Sequence, residues 1–288
     1  MIISAATRAS ALARWQTHYV ADLLASAGGP EVEPLLVSTA GDRDKVTPLH
    51  EIGGKGVFVK EVQAAVLDGR ADIAVHSAKD LPALTPDGLV ICAVPARADH
   101  RDALVGSTLA DLPQGAKVGT GSIRRQVQIA AARPDVELVE IRGNIDTRLA
   151  RVGELDAVVM AAAALDRLDL TPHVVERLGI DTMLPQVGQG SLAIECRVDD
   201  HPTIEALAKI DDPKAHRVLS AERAFLIELG GDCNLPAGAY ARLLEGDLVE
   251  VRGMLSDGDD QLHCEMRTGN DGEAIGRGLA ADLRARLV

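Results

Sequence analysis

Asp72-Ile73-Ala74-Val75-His76-Ser77-Ala78-Lys79-Asp80 is the stretch on which the fold turns. Residues 72–75 read as a short buried strand, and the apolar run stops at a polar, charged turn. In an open α/β sheet, ligands bind where such strands end. Lys79 beside Asp80 keeps the carboxylate ionised, so the pair can stabilise positive charge or shuttle protons; Asp80 can equally cap a helix.

The same rhythm extends on both sides. Ile2 to Ala6 is a predicted strand, and Ser10 caps a helix carrying Leu12, Trp15, Tyr19, Val20, Leu23 and Leu24 at helical spacing. Gly28-Gly29-Pro30 closes it, and Val32 to Ser38 is the next strand. A polar loop then leads to Gly53-Gly54-Lys55-Gly56, a helix from about Val59 to Leu67, the decisive strand, and another from Leu89 to Val94. A second lobe repeats the alternation. Its strands are Lys117 to Gly119, Val136 to Ile141 and Ala157 to Ala162; its helices are Ser122 to Ala132 and Ile145 to Val152, the latter capped by Asn144. Such alternation implies mostly parallel sheets covered by helices.

Beyond about Asp211 the rhythm changes. A long helix, Lys214 to Leu229, precedes an antiparallel meander of Ala239 to Leu244, Leu248 to Leu255 and Leu262 to Arg267, and a helix from Glu273 to Leu287 ends the chain. No internal repeat is legible. Between the long helix and the meander lies Gly230-Gly231-Asp232-Cys233-Asn234-Leu235-Pro236, whose glycines, proline and polar residues make a turn that presents one cysteine. By itself Cys233 reads as a small buried hydrophobe, a packing residue.

At 288 residues there is room for two or three domains, and 47% hydrophobic against 25% charged residues describes a soluble globular protein. Aromatics make up 2%, so the cores are built from Ala, Val, Leu and Ile. The net charge of −13 argues against a sequence-independent nucleic-acid binder. Cys92, Cys196, Cys233 and Cys264 are dispersed, without Cys/His spacing for a metal, which favours reduced thiols. No signal-peptide core and no apolar run of about 18 residues is present, so a cytoplasmic protein without a membrane span is expected.

In so acidic a chain, arginines beside glycines carry information. Gly119-Thr120-Gly121-Ser122-Ile123-Arg124-Arg125 sets a tight turn, hydroxyls and two guanidinium groups at a strand-to-helix junction, where open backbone N–H groups favour an anion. Arg142-Gly143-Asn144-Ile145-Asp146-Thr147-Arg148 and Thr7-Arg8-Ala9-Ser10 are junctions of the same kind. One alone reads as a solvated arginine paired with surface acids; three after successive strands point to an anionic ligand between two lobes. The glycines at 119 and 121 lack the third of a dinucleotide fingerprint, and Lys55 is followed by glycine rather than the Ser or Thr of a P-loop, so neither NAD nor ATP is expected.

Taken together, the chain resembles the hydroxymethylbilane synthase (porphobilinogen deaminase) family. The matching motifs are Thr7-Arg8-x-Ser10, Gly53-Gly54-Lys55-Gly56-x-Phe58-x-Lys60-Glu61, and 72–80 followed by Pro82. Further matches are Gly119-Thr120-x-Ser122-x-Arg124-Arg125-Gln126, Arg142-Gly143-Asn144-x-x-Thr147-Arg148-Leu149, Val187-Gly188-Gln189-Gly190, Glu195-Cys196-Arg197, Ala221-Glu222-Arg223-Ala224 and the Cys233 loop, in family order.

The resemblance implies two periplasmic-binding-protein-like (type II) lobes plus a small α+β third domain with an antiparallel sheet. The division would be 1–94 with 189–208, 95–188, and 209–288. It implies condensation of four porphobilinogen molecules with loss of ammonia onto a dipyrromethane cofactor held by a thioether to Cys233, then hydrolysis to hydroxymethylbilane, by a monomer with no metal, nucleic acid or membrane partner. Asp80 would be catalytic, holding pyrrole N–H groups and stabilising the cationic azafulvene formed on ammonia loss. Arg8, Ser10, Lys79, Ser122, Arg124, Arg125, Arg142, Arg148 and Arg167 would bind the acetate and propionate groups, with Ser77, Thr120 and Gln189 lining the same site. Phe58 would stack on or gate the pyrroles, with Lys55 on the same loop. Glu51, Gly121 and Ala164 depart from the family pattern, where lysine, serine and glycine are usual. A non-catalytic anion-binding protein of periplasmic-binding type and a thiol-nucleophile hydrolase are the competing readings; the third domain opposes the first, and no motif supplies a histidine base for the second.

Overall fold

The apolar run at 73–75 becomes the central strand of a five-stranded sheet, since each of its residues is buried and β-branched or small. A computed structural model describes residues 2–39, 56, 59–231, 236–257 and 261–287. In chain order these give β1 (Ile2–Arg8), α1 (Ala11–Ser26), β2 (Glu31–Val37), α2 (Lys60–Leu67), β3 (Ile73–Ser77) and β4 (Leu89–Ala93). Next come β5 (Asp102–Val105), β6 (Lys117–Gly119), α3 (Ile123–Ala132), β7 (Glu137–Val139), α4 (Ile145–Leu149), β8 (Ala157–Ala161), α5 (Ala162–Arg167) and β9 (Val174–Arg177). The chain closes with β10 (Leu192–Arg197), α6 (His201–Leu207), α7 (Pro213–Glu228), β11 (Ala237–Leu243), β12 (Val249–Ser256), β13 (Leu262–Gly269) and α8 (Gly272–Ala285).

Contacts divide the chain into two units, Met1–Arg97 with Ser191–Leu219, and Ala98–Gly190 with Ser220–Val288. The first contains a five-stranded sheet ordered β2-β1-β3-β10-β4, in which β1 pairs parallel with β2 and β3 while β10 runs antiparallel to β3 and β4. Its apolar core joins Ile3, Val20, Leu24, Ile73, Leu192, Ile194 and Leu207. Ser10 adopts an extended conformation and its Oγ accepts the Ala13 amide at 3.3 Å, so the expected cap starts α1.

In the second unit the order is β7-β6-β8-β5-β9, again with three parallel strands, then one antiparallel strand, then one more. The two five-stranded sheets therefore share one topology. In each, the antiparallel strand (β10 and β5) is the first strand formed after the chain passes from one unit to the other. This duplication is invisible as a sequence repeat because it is kept by strand order and burial, not by residue identity. The second unit also holds the antiparallel sheet β11-β12-β13, with α8 against it. Gly253 is needed there: a Cβ would lie 2.6 Å from the Phe225 ring. The α/β class with two lobes and a small antiparallel α+β part is thus the fold expected from the sequence.

Differences are local. Neither β5 nor β10, nor β9, was predicted, and the helix expected through Val152 stops at Leu149. Both β5 and β10 are almost wholly buried and carry a fully buried carboxylate each, Asp102 and Glu195, so they lack the alternation that marks a half-exposed strand.

Candidate active site

In the first unit, a pocket opens at the carboxyl ends of β1 and β3. It is lined by Arg8, Ser10, Gln16, His76, Ser77 and Asp80, among others. The polypeptide after β3 tightens into a single 3-10 turn, Ala78–Asp80, which leaves Lys79 half-buried and Asp80 exposed at the pocket. Gln16 is buried, and its Nε2 donates to Ser77 Oγ at 2.7 Å, tying α1 to the end of β3. The face that α1 buries contains Val20 and Leu24, as the apolar spacing expected, and also the polar Gln16 and Thr17, which that spacing did not include. Trp15 and Tyr19 stack on each other with centroids 5.2 Å apart.

Beneath the pocket lies a polar cluster. His76 Nε2 is 3.1 Å from Glu195 Oε2, and Gln63 Nε2 donates to the same oxygen at 2.8 Å. All three residues are buried, one each from β3, β10 and α2. Such a cluster holds these elements in one register, because each member would lose its partner if the strands slipped.

At the β6-to-α3 junction of the second unit, the two guanidinium groups expected to meet an anionic ligand meet a carboxylate of the chain itself. Arg124 and Arg125 are buried and both point at Asp102, which is fully buried on β5. Arg124 Nη2 donates to Asp102 Oδ2 at 2.8 Å, while Arg125 donates to Oδ1 through Nη2 at 2.7 Å and Nε at 3.0 Å. Burial opposes ionisation of Asp102, but the two guanidinium groups outweigh it and hold the carboxyl well below the usual carboxylate range. Arg124 Nη1 and Arg125 Nη1 donate to the Leu184 and Val159 carbonyls. Arg124 Nε is buried and has no acceptor among the described residues. Thr120 is buried, and its Oγ1 accepts the Ser122 amide at 3.2 Å. Gly121 is required as glycine here, since a Cβ would sit 2.6 Å from the Ile141 carbonyl oxygen.

The other expected residues spread around this junction. Asn144 caps α4 by accepting the Thr147 amide at 2.9 Å, and Arg148 Nε donates to the Gly143 carbonyl. Arg142 is half-buried between β7 and α4. Arg167, at the end of α5, donates to the Gly190 carbonyl at 2.8 Å. Gln189 is fully buried, and its Nε2 donates to Asp102 Oδ1 at 3.0 Å and to the His100 carbonyl at 2.9 Å. Lys55, Phe58, Cys233 and the departure at Glu51 lie outside the described residues. Among the described residues, no group of three or more His, Cys, Asp or Glu side chains could hold a metal ion, and no helix is long and apolar enough to cross a membrane.

Sequence reasoning did not single out Gln16, Gln63, His76, Asp102, Glu195 or Glu222 for the parts they play here. The signal available was a polar residue inside an otherwise apolar strand or helix face, which reads as a loop or an exposed position until the partner is known.

Two family models match the chain: "Porphobilinogen deaminase, dipyromethane cofactor binding domain" over residues 3–205 and "Porphobilinogen deaminase, C-terminal domain" over residues 217–285. Among similar proteins, one from Roseiflexus sp. (strain RS-1) is 47% identical over 280 residues, 95% of this chain and 92% of that one. One from Brevibacillus brevis is 45% identical over 288 residues, 97% of this chain and 93% of that one. One from Acidithiobacillus ferrooxidans is 46% identical over 288 residues, with 97% and 94% covered. All three relatives are named porphobilinogen deaminase.

Proposed function

The chain belongs to the porphobilinogen deaminase family, and from that membership we propose that it works as a hydroxymethylbilane synthase. It is a transferase that joins four porphobilinogen molecules head to tail, releases ammonia at each step and hydrolyses the product to the linear tetrapyrrole of porphyrin and haem formation. The observation that carries this reading is that both family domains match, over 3–205 and 217–285, in a chain that keeps Asp80 in the lining of a pocket with Arg8 and Ser10.

The residues present fit a dipyrromethane cofactor. Its acetate and propionate groups require donors, and Arg124 Nε is a buried donor with no acceptor among the described residues. Cys233 would hold the group by a thioether, with Arg124, Arg142, Arg148 and Ser122 facing its carboxylates. When bound, it supplies the pyrrole carbon to which the first substrate is joined.

The remaining roles follow from the chain's own groups. Asp80 accepts pyrrole N–H groups, and its negative charge favours the positive charge that develops as ammonia departs. The same carboxylate moves a proton between pyrrole and leaving group. Arg8, Ser10 and Lys79 bind substrate carboxylates beside it, and Gln16 fixes Ser77 through the 2.7 Å hydrogen bond. Arg125 and Gln189 act through Asp102 rather than on substrate, because their polar groups are directed there. Phe58 and Lys55 keep the gating and anion-steering roles that the family resemblance gives them. We propose the three-domain division 1–94 with 189–208, 95–188 and 209–288, supported by the separate sheets, and a monomer acting in the cytoplasm.

The test is turnover of porphobilinogen by the purified protein, followed by ammonia release. Wild-type protein releases ammonia and forms a linear tetrapyrrole; protein that binds porphobilinogen without releasing ammonia would be an anion-binding relative and would end this reading.

A further inference from the structure

Two buried carboxylates outside the expected site are connected through a single segment of chain. Glu222 on α7 is fully buried, and its two oxygens serve two different elements: Oε2 accepts the Gly188 amide at 2.7 Å and Oε1 accepts the Ala241 amide of β11 at 2.8 Å. The next residue, Gln189, donates to Asp102, which holds Arg124 and Arg125. Upstream in the same segment, Leu184 is held at both backbone groups by α3. Its carbonyl accepts from Arg124 Nη1 at 2.5 Å and Gln128 Nε2 at 3.1 Å, and its amide donates to Gln128 Oε1 at 2.7 Å.

Strand β11 is pressed onto this segment without a side chain between them. A Cβ at Gly238 would lie 2.8 Å from the Pro185 carbonyl oxygen and 3.2 Å from Arg124 Cδ. Next to it, Tyr240 stacks on His100 with ring centroids 4.2 Å apart. Residues 184–190 are thus clamped between the arginine helix on one side and α7 with β11 on the other. In sequence, α7 and β11 are the two elements that flank the Cys233 loop.

We infer that Glu222 is a positioning residue for the proposed reaction: through Gly188 and Gln189 it fixes the stems of the cysteine loop at a set distance from Arg124 and Arg125. A buried carboxylate accepting two backbone amides has no geometric equivalent among neutral side chains. Glutamine offers one oxygen to one amide and turns its NH2 donors on the other. The consequence falls on how readily the cofactor is loaded, because the thioether at Cys233 and the carboxylate partners on α3 must be satisfied by one rigid group at once. This rests on the family reading above.

The experiment measures loading, not turnover. Apo-protein made in a host that lacks porphobilinogen is incubated with porphobilinogen, and the gain of two pyrrole units at Cys233 is followed by intact mass. Glu222→Gln is compared with Leu279→Ala, which removes a buried α8 side chain from the same antiparallel sheet and leaves residues 184–190 untouched. Glu222→Gln is expected to load about tenfold more slowly than Leu279→Ala at a matched loss of thermal stability. Equal loading rates at matched stability would overturn the inference. Gln189→Met, which removes the amide donated to Asp102 while keeping side-chain length, is expected to slow loading likewise, and it decides the matter if Glu222→Gln does not fold. A wild-type protein that gains no mass at Cys233 would refute the cofactor reading itself, an outcome distinct from equal rates.

Discussion

Asp80 and Asp102 show how differently one residue type is used in this protein. Asp80 is exposed at the end of a 3-10 turn and Asp102 is fully buried between two arginines. Asp80→Asn should leave the fold intact and lower kcat by about 10²- to 10⁴-fold, the range of a lost proton-transferring group; a mutant retaining most of the wild-type kcat would remove Asp80 from the mechanism. Asp102 has a depressed folded-state pKa, so its stabilisation is fully present above the unfolded-state value of about 3.8 and is lost as pH falls below that toward the folded value. Acid titration of unfolding free energy should therefore show a steep loss below about pH 4. Asp102→Asn should flatten that slope while lowering stability at neutral pH, since two buried guanidinium groups lose their counter-charge. The sequence exposed the arginine pair as informative but not its direction, because Asp102 stands 22 residues from Arg124 and the contact forms only when β5 enters the sheet.

At the scale of elements, caps and close approaches were legible to different degrees. Ser10 and Asn144 were read as caps from residue type and position, and both side chains accept the amide three residues on. Ser10→Ala should lower stability by about 1 kcal/mol and raise KM as well, since Ser10 also faces the pocket; the denaturant midpoint and KM are the measurements. Gly121 read as a lost hydroxyl relative to the family. The structure gives it another meaning, because the Ile141 carbonyl occupies the place of its Cβ at 2.6 Å. Gly121→Ser should thus destabilise this chain by about 1–3 kcal/mol, as overpacking does, and a denaturant midpoint equal to wild type would show that the backbone yields instead. Strands β5 and β10 escaped notice for the opposite reason, since a short run buried on both faces carries no period.

For the whole molecule, the central prediction is chemical. Purified protein should exceed its sequence mass by two pyrrole units, and Cys233→Ser should lose that excess together with turnover; an active enzyme of unmodified mass would dismiss the thioether. The sequence by itself determined the alternation of strands and helices, the ends at which polar turns gather and the family, because hydrophobic period, cap chemistry and long ordered motifs are local properties of a chain. Tertiary structure alone decided that both sheets share one topology, that Gln16 reaches Ser77, that His76, Gln63 and Glu195 meet, and that Arg124 and Arg125 are turned inward to Asp102. Most of these are contacts between residues tens of positions apart, several of them buried and polar. A buried polar group is stable only with its partner in place, so its role cannot be read until the chain has brought the two together.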